Sequence, residues 1–213
     1  MPKRKPHTKI IGGMHKGTKI PYKPSETIRP TENRARETLF NWLMHDIEGA
    51  ICLDMFSGTG ALGIEALSRG AEKVIFLEKN KDLCLIINNL LEKLFLTQKA
   101  EVIHTDSLKY PLEKLNLIFD IVFLDPPFRK DFLNNVYNKF DKTTLLHEGS
   151  LIYVESEEEL EMKFLDRMVQ SYKNGETVEV VKMNDFTSLL ENNIITEDTI
   201  VFNNMVCFIP AYV

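Results

Sequence analysis

Asp125-Pro126-Pro127-Phe128 closes an apolar run, FDIVFLDPPF over 119–128, and groups side chains suited to chemistry on a planar amine. The exocyclic nitrogen of a nucleobase is a poor nucleophile because its lone pair is delocalised into the ring. A carboxylate oxygen of Asp125 and the carbonyl of Pro126 could each accept one of its N–H bonds. That favours a tetrahedral nitrogen and supports the positive charge that grows as it attacks a methyl donor. Consecutive prolines fix φ near about −65°, and with it the carbonyl's direction. Phe128 offers a face on which an extruded base can stack, worth roughly 1–3 kcal/mol. An ordinary Pro-Pro turn after a strand would read the same way, so the motif gains weight only beside a second one.

The second motif runs Asp54-Met55-Phe56-Ser57-Gly58-Thr59-Gly60-Ala61-Leu62-Gly63, with Gly58, Gly60 and Gly63 in G-x-G-x-x-G spacing between a strand-like and a helix-like stretch. Glycines there allow a tight turn and close approach of a ligand to backbone N–H groups. Glu78 follows Gly58 by 20 residues, the distance at which a carboxylate accepts both ribose hydroxyls. A dinucleotide or any adenosine-containing cofactor fits these features. A nicotinamide-dependent oxidoreductase would share them, but no His or Tyr stands out to serve hydride transfer.

The elements that must hold these motifs are legible in the apolar periodicity. AICLDMF (50–56), KVIFLEKN (73–80), EVIHTD (101–106), FDIVFLDPPF (119–128) and SLIYVESE (150–157) read as buried strands, and four of them present an acid at the end: Asp54, Glu78, Asp106 and Asp125. Glu155 is a fifth rim acid without an assigned role. Helices are expected after Thr31 as N-cap, with Ala35, Leu39, Trp42 and Leu43 on one side, after the glycine loop with Gly70 as its cap, over KDLCLIINNLLEKLFL, and around 130–140. Trp42 and Phe40 read as core, and His104 as a structural histidine. TVEVVKM (177–183) and VCFIPAYV (206–213) are expected to pair antiparallel at the sheet's edge, with 184–204 polar and unassigned. Strands that alternate with helices and are apolar on both faces predict a mostly parallel sheet covered by helices.

With 213 residues, 44% hydrophobic and 27% charged, the chain is expected to be a globular protein without a secretory leader or spanning helix. Cys52, Cys84 and Cys207 are too scattered for a disulfide framework or a metal site, which suggests free thiols in a cytoplasmic protein. The net charge of −5 argues against a nucleic-acid partner until it is divided. Ten of the 26 cationic side chains and two of the 31 acids fall in residues 1–36, so that segment carries +8 and the remainder −13. A cationic arm on an acidic body suggests a polyanion site at one end. The Gly-punctuated KIIGGMHKGTKI reads as a hairpin carrying Lys9, His15, Lys16 and Lys19 rather than a solubilising tail. Arg34 and Arg36 could reach phosphate or pair with Glu32 and Glu37.

KIIGGMHKGTKIP, RPTENRARETLFNWL, DMFSGTGALGIEALSRGA, DIVFLDPPF and LIYVESE, in this order between residues 9 and 157, resemble the RsmD family of bacterial small-subunit rRNA guanine-N2 methyltransferases. The resemblance implies S-adenosylmethionine as cofactor and the class I methyltransferase fold: α/β, Rossmann-like, a mostly parallel seven-stranded sheet with helices on both faces, preceded by an N-terminal β-hairpin. It implies a guanine N2 in 16S rRNA as the methyl acceptor, within an assembled small subunit, and a monomer as the working form. Residues 1–24 would be the rRNA-docking arm and 25–213 the methyltransferase domain, divergent from about 160. By place in the motif, Phe56, Ser57, Gly58, Thr59 and Gly60 would line the methionine part beside Asp54, Glu78 the ribose, and Asp106 with Ser107 the adenine. Arg29, Pro30 and Thr31 match the family's cofactor-side motif, and Asp125, Pro126, Pro127 and Phe128 the catalytic one. Lys9, His15, Lys16, Lys19 and Arg34 would face RNA; no metal is implied. Adenine-N6 and protein-glutamine methyltransferases share the D-P-P-F logic, though they more often carry Asn before the prolines and Tyr after them. A non-catalytic RNA-binding module would keep the arm but would not need Asp125.

Overall fold

The computed structural model describes residues 7–21, 33–126, 135–136, 139–140, 144–156, 180–182 and 206–210. The chain divides into two compact units, Met1–Tyr110 and Pro111–Val213.

The first unit opens with the expected hairpin, β1 (His7–Lys9) antiparallel to β2 (Lys19–Pro21). Its alternation buries Thr8 and Ile20 and leaves Lys9 and Lys19 exposed. Helix α1 (Asn33–Trp42) buries Leu39 and Phe40, as expected of core residues, while Trp42 is half-buried. The main strands are β3 (Ile51–Asp54), β4 (Lys73–Glu78) and β5 (Ala100–His104), parallel in the order β5-β4-β3. Val74, Ile75, Phe76 and Leu77 are all fully buried, so successive residues on both faces of β4 are covered. Helix α2 (Ala61–Ser68) packs on β3 and β4, and α3 (Lys81–Lys93) on β4 and β5. Helix α3 buries Leu83, Cys84, Ile87, Leu90 and Leu91 on one stripe; Asn80 caps it by accepting from the Asp82 and Leu83 N–H groups. Helix α2 is buried on all eight residues. Gly63 makes that possible, because a Cβ there would lie 2.3 Å from Cε1 of the buried Phe76 ring. Gly70, at φ +111°, ends the α2 segment as its cap position suggested.

The second unit holds β6 (Phe119–Leu124), β7 (Leu146–Ser156), β8 (Val180–Lys182) and β9 (Val206–Pro210) in the order β6-β7-β9-β8. Between the Phe119–Leu146 and Ile121–Leu151 pairs the register shifts. Ser150 Oγ fills the gap, accepting from His147 N–H at 2.9 Å and donating to the Phe119 carbonyl at 2.8 Å. The expectation of an antiparallel β8–β9 pair is wrong: the two run parallel, Val180 opposite Val206. Residues 183–205 separate them, long enough for a crossover, whereas an antiparallel pair is favoured by a short hairpin. The expected helix around 130–140 and the segment 184–204 lie outside the described residues, apart from helical backbone at 135–136 and 139–140.

Gly63→Ala should therefore cost about 1–3 kcal/mol of stability in urea unfolding, the range for overpacking a rigid core. Phe76→Leu introduced alongside should recover part of it as favourable coupling in a double-mutant cycle.

Candidate functional site

Each parallel strand ends near an acid, but the four are not equivalent. β3 ends on Asp54 and β4 on Glu78; β5 stops at His104, two residues before Asp106; β6 stops at Leu124, so Asp125 opens the following turn. In an open parallel sheet, ligands bind beyond these carboxyl ends.

Within the first unit the glycine loop is built around two carboxylates. Gly58 and Gly60 sit at φ +51° and +75°, conformations that strain any residue with a Cβ. Asp54 is 2% exposed, and its Oδ2 accepts the Gly63 N–H at 3.1 Å, in the first turn of α2. Glu78 Oε2 accepts the Gly58 N–H at 2.7 Å while Oε1 accepts the Asn80 N–H at 2.6 Å. Ser57 Oγ donates to the Asp54 carbonyl at 2.8 Å and the Leu77 carbonyl at 3.2 Å, tying the loop to both strands. Phe56 is half-buried and Thr59 buried. From beyond β5, the buried Ser107 donates its hydroxyl to the Met55 carbonyl, and Asp106 accepts from Leu108 N–H at 3.2 Å and from Lys79 Nζ at 2.9 Å. Asp54, Ser57, Gly58, Glu78, Asp106 and Ser107 are thus gathered around one loop.

Burial dominates the electrostatics. It pushes Asp54 up to about 7, with Glu78's charge adding to the rise and the Gly63 N–H opposing it. Burial likewise raises Glu78, against the N–H groups of Asn80, Gly58 and Lys79. Asp106, nearer the surface, is lowered first by its hydrogen bond to Lys79. A pyrophosphate would need the free positive start of a helix. Here a carboxylate already takes up that position on α2, and a second one crosses the loop. The arrangement suits a ligand bearing hydroxyls and positive charge. Glu78 accepts backbone N–H groups on both oxygens and is only half-buried, which leaves its carboxylate within reach of a ligand hydroxyl.

In the second unit Asp125 is half-buried and Pro126 buried. Pro127 and Phe128 lie outside the described residues, as do Arg29, Pro30, Thr31 and the side chain of Arg34. On the hairpin, Lys9, Lys16 and Lys19 are exposed and His15 half-buried. Arg36 is fully buried rather than open to phosphate, donating to Thr8 Oγ1 at 2.8 Å and the Lys9 carbonyl at 2.9 Å; Glu32 lies outside the described residues. His104 has the structural role expected, Nε2 lying 2.9 Å from the Lys79 carbonyl oxygen. Among the described residues no cluster of His, Cys, Asp or Glu could hold a metal ion, and no helix is long and apolar enough to cross a membrane. Two participants escaped the sequence reading. Lys79 follows Glu78 directly yet serves Asp106, and Glu65 is the one acid in the otherwise apolar or small-residue stretch ALGIEALS.

A family model described as "Conserved hypothetical protein 95" matches residues 8–183. Ribosomal RNA small subunit methyltransferase D of Haemophilus influenzae is 42% identical over 160 residues, 74% of this chain and 83% of that protein. Its Escherichia coli K12 namesake is 42% identical over 154 residues, 71% and 75% of the two chains. A solved E. coli structure assigned as a methyltransferase superposes with TM-score 0.61 at 37% identity, covering 70% of this chain and 80% of that one. An H. influenzae structure assigned as a methylase gives 0.60 at 39%, covering 73% and 85%. These likenesses establish the methyltransferase-type α/β fold expected from the sequence.

Because Asp54 binds its proton more tightly folded than unfolded, its ionisation opposes folding. Asp54→Asn keeps an oxygen acceptor for Gly63 N–H and removes the titration. The stability of the native chain relative to this variant should fall as pH rises from about 4, the unfolded carboxylate value, to about 7. Paired denaturant titrations across that window check it; a pH-independent difference would mean that Asp54 is not held in its neutral form.

Proposed function

The chain belongs to the RsmD family of ribosomal RNA small subunit methyltransferases, and from that premise we propose that it methylates the exocyclic N2 amino group of a guanine in 16S rRNA, on assembled 30S particles, using S-adenosylmethionine. The observation that supports the cofactor assignment is Glu78 spanning the loop to Gly58 N–H, with the Asp54 carboxyl already occupying the Gly63 N–H that a pyrophosphate would need. When bound, the cofactor supplies a methyl group made electrophilic by its sulfonium sulfur. The remaining chemistry belongs to the protein.

In this reading Asp54 and the loop from Phe56 to Gly60 enclose the positively charged methionine part, and Glu78 uses its remaining lone pairs on the ribose hydroxyls. Asp106 and Ser107 flank the adenine, with Arg29, Pro30 and Thr31 on the cofactor side. Asp125 and the Pro126 carbonyl accept the two N–H bonds of the guanine amine and orient its lone pair at the methyl carbon. Asp125 would take the proton that the nitrogen gives up on accepting the methyl group, the cofactor leaving as its neutral thioether. Phe128 stacks on the base. Most of the acceleration comes from holding amine and methyl in line.

The hairpin supports an RNA substrate. Lys9 and Lys19 stand directly opposite each other in the β1–β2 register, both exposed. Like charges so paired repel, a cost that a phosphate removes. Residues 1–24 then form the docking arm, with His15, Lys16 and Arg34 beside these lysines, and 25–213 the methyltransferase domain of a monomer acting in the cytoplasm.

Incubation with methyl-labelled cofactor and undermethylated 30S particles should give labelled N2-methylguanosine on nucleoside analysis. N6-methyladenosine, or no label in RNA, would overturn the assignment. Asp125→Ala should lower kcat by at least about 10³-fold, with cofactor affinity by calorimetry held to within about twofold. Replacing Lys9 and Lys19 together with Ala should reduce the slope of log affinity against log salt by about 2, one for each lost phosphate contact.

A further inference from the structure

We propose that Glu65 is a positioning residue for RNA, fixing the hairpin tip to the helix that begins at the glycine loop; the inference rests on the rRNA reading above. Glu65 is fully buried, midway along α2. Its Oε2 accepts the Ile11 N–H at 2.7 Å, and its Oε1 accepts the Gly12 N–H at 2.7 Å and Arg69 Nε at 2.8 Å. One turn on, Ser68 continues the contact. Its carbonyl accepts the Met14 N–H at 2.7 Å, while its hydroxyl accepts the His15 N–H at 2.9 Å and donates to the Gly12 carbonyl at 2.6 Å. Four backbone N–H groups of the tip are therefore held by two side chains and one carbonyl of α2.

Of the three glycines between the strands, Gly13 admits no side chain and Gly12 admits one only if the Arg69 guanidinium moves. A Cβ on Gly12 would lie 2.5 Å from the Arg69 guanidinium carbon, and one on Gly13, at φ +72°, would lie 1.8 Å from the Ser68 carbonyl oxygen. A second tie comes from Arg36, whose Thr8 and Lys9 contacts anchor β1 from α1 and whose charge is supported by Glu65. The cost of burying a carboxylate within an apolar helix is offset here by two backbone N–H groups outside the β ladder and one guanidinium. What leucine could not do at position 65 is hold that tip.

Helix α2 therefore has two occupied ends. Its first turn is set by Asp54 through Gly63, in the loop read as the cofactor site, and its second turn carries the hairpin. Over eight residues it spans about 12 Å, a short rigid spacer that gives the tip, with exposed Met14 and Lys16, a fixed offset from the loop.

Glu65→Gln should raise the KM for 30S particles about tenfold, while kcat at saturating particles and cofactor affinity stay within about threefold. The Ile11 and Gly12 amides should exchange faster with solvent. Gly13→Ala breaks the same contact from the hairpin side, leaves the buried acid in place, and should show the same split even if Glu65→Gln folds poorly. The Lys9/Lys19 double variant is the reference. If it weakens RNA binding but neither tip variant changes the KM, the positioning role is refuted and the RNA-docking reading stands. If none of the three alters RNA affinity, the docking reading fails and this inference falls with it.

Discussion

A buried carboxyl, Asp54, and a half-buried one, Glu78, hold one glycine loop by its backbone N–H groups, and the rest of the first unit is arranged to permit it. Asp54 reaches forward to Gly63 and Glu78 reaches across from the neighbouring strand to Gly58. Withdrawing acids from water so close together is unfavourable, and burial pushes the pKa values of both upward. The loop compensates with N–H donors that would otherwise be unsatisfied between a strand end and a helix start. Glycine is required because the backbone turns through positive φ at Gly58 and Gly60 to aim those donors. The outcome is a loop whose Gly63 N–H is already taken by Asp54, so the helix start is not free for a phosphate.

Helix α2 transmits that arrangement. It is buried on every residue, unusual for a helix of a parallel sheet protein, because strands cover one side and α1 with the hairpin crowd another. Arg69 extends from its end over the Phe40 ring, 5.2 Å from the centroid, while bonding Glu65. A helix so enclosed cannot shift without disturbing both the loop and the tip.

Much of this was legible. Apolar runs located the strands because a parallel strand must be apolar on both faces, and the spacing from Gly58 to Glu78 located the carboxylate that crosses the loop. Partners of long polar side chains were not legible. Arg36 read as a surface or phosphate-binding group because periodicity says which face a residue occupies, not which carbonyls wait there; it is buried against Thr8 and Lys9. Glu65 gave a signal, an acid among buried neighbours, but nothing in local sequence pointed 54 residues back to Ile11. The direction of β8 against β9 failed for a different reason. Apolar pattern is blind to strand polarity, and only the length of the intervening chain bears on it.

The charge distribution makes sense once the two sites are viewed as a pair with opposite needs. A body carrying −13 repels RNA at short range. Screening limits that repulsion to about 8 Å at physiological salt, so the body as a whole does not prevent approach, but it gives phosphates nowhere favourable to settle. In the proposed reading the segment carrying +8 supplies the attraction, and within it the facing Lys9 and Lys19 concentrate the charge on one strip. An arm free to wander would bind RNA in many registers, and only a few of those would bring a base to an enzyme whose catalysis depends on alignment. Anchoring the tip through Glu65 and Ser68 converts attraction into orientation. In the proposed reading buried acids therefore act at both ends of α2: Asp54 takes up the Gly63 N–H at the loop, and Glu65 fixes where the hairpin displays its positive charge.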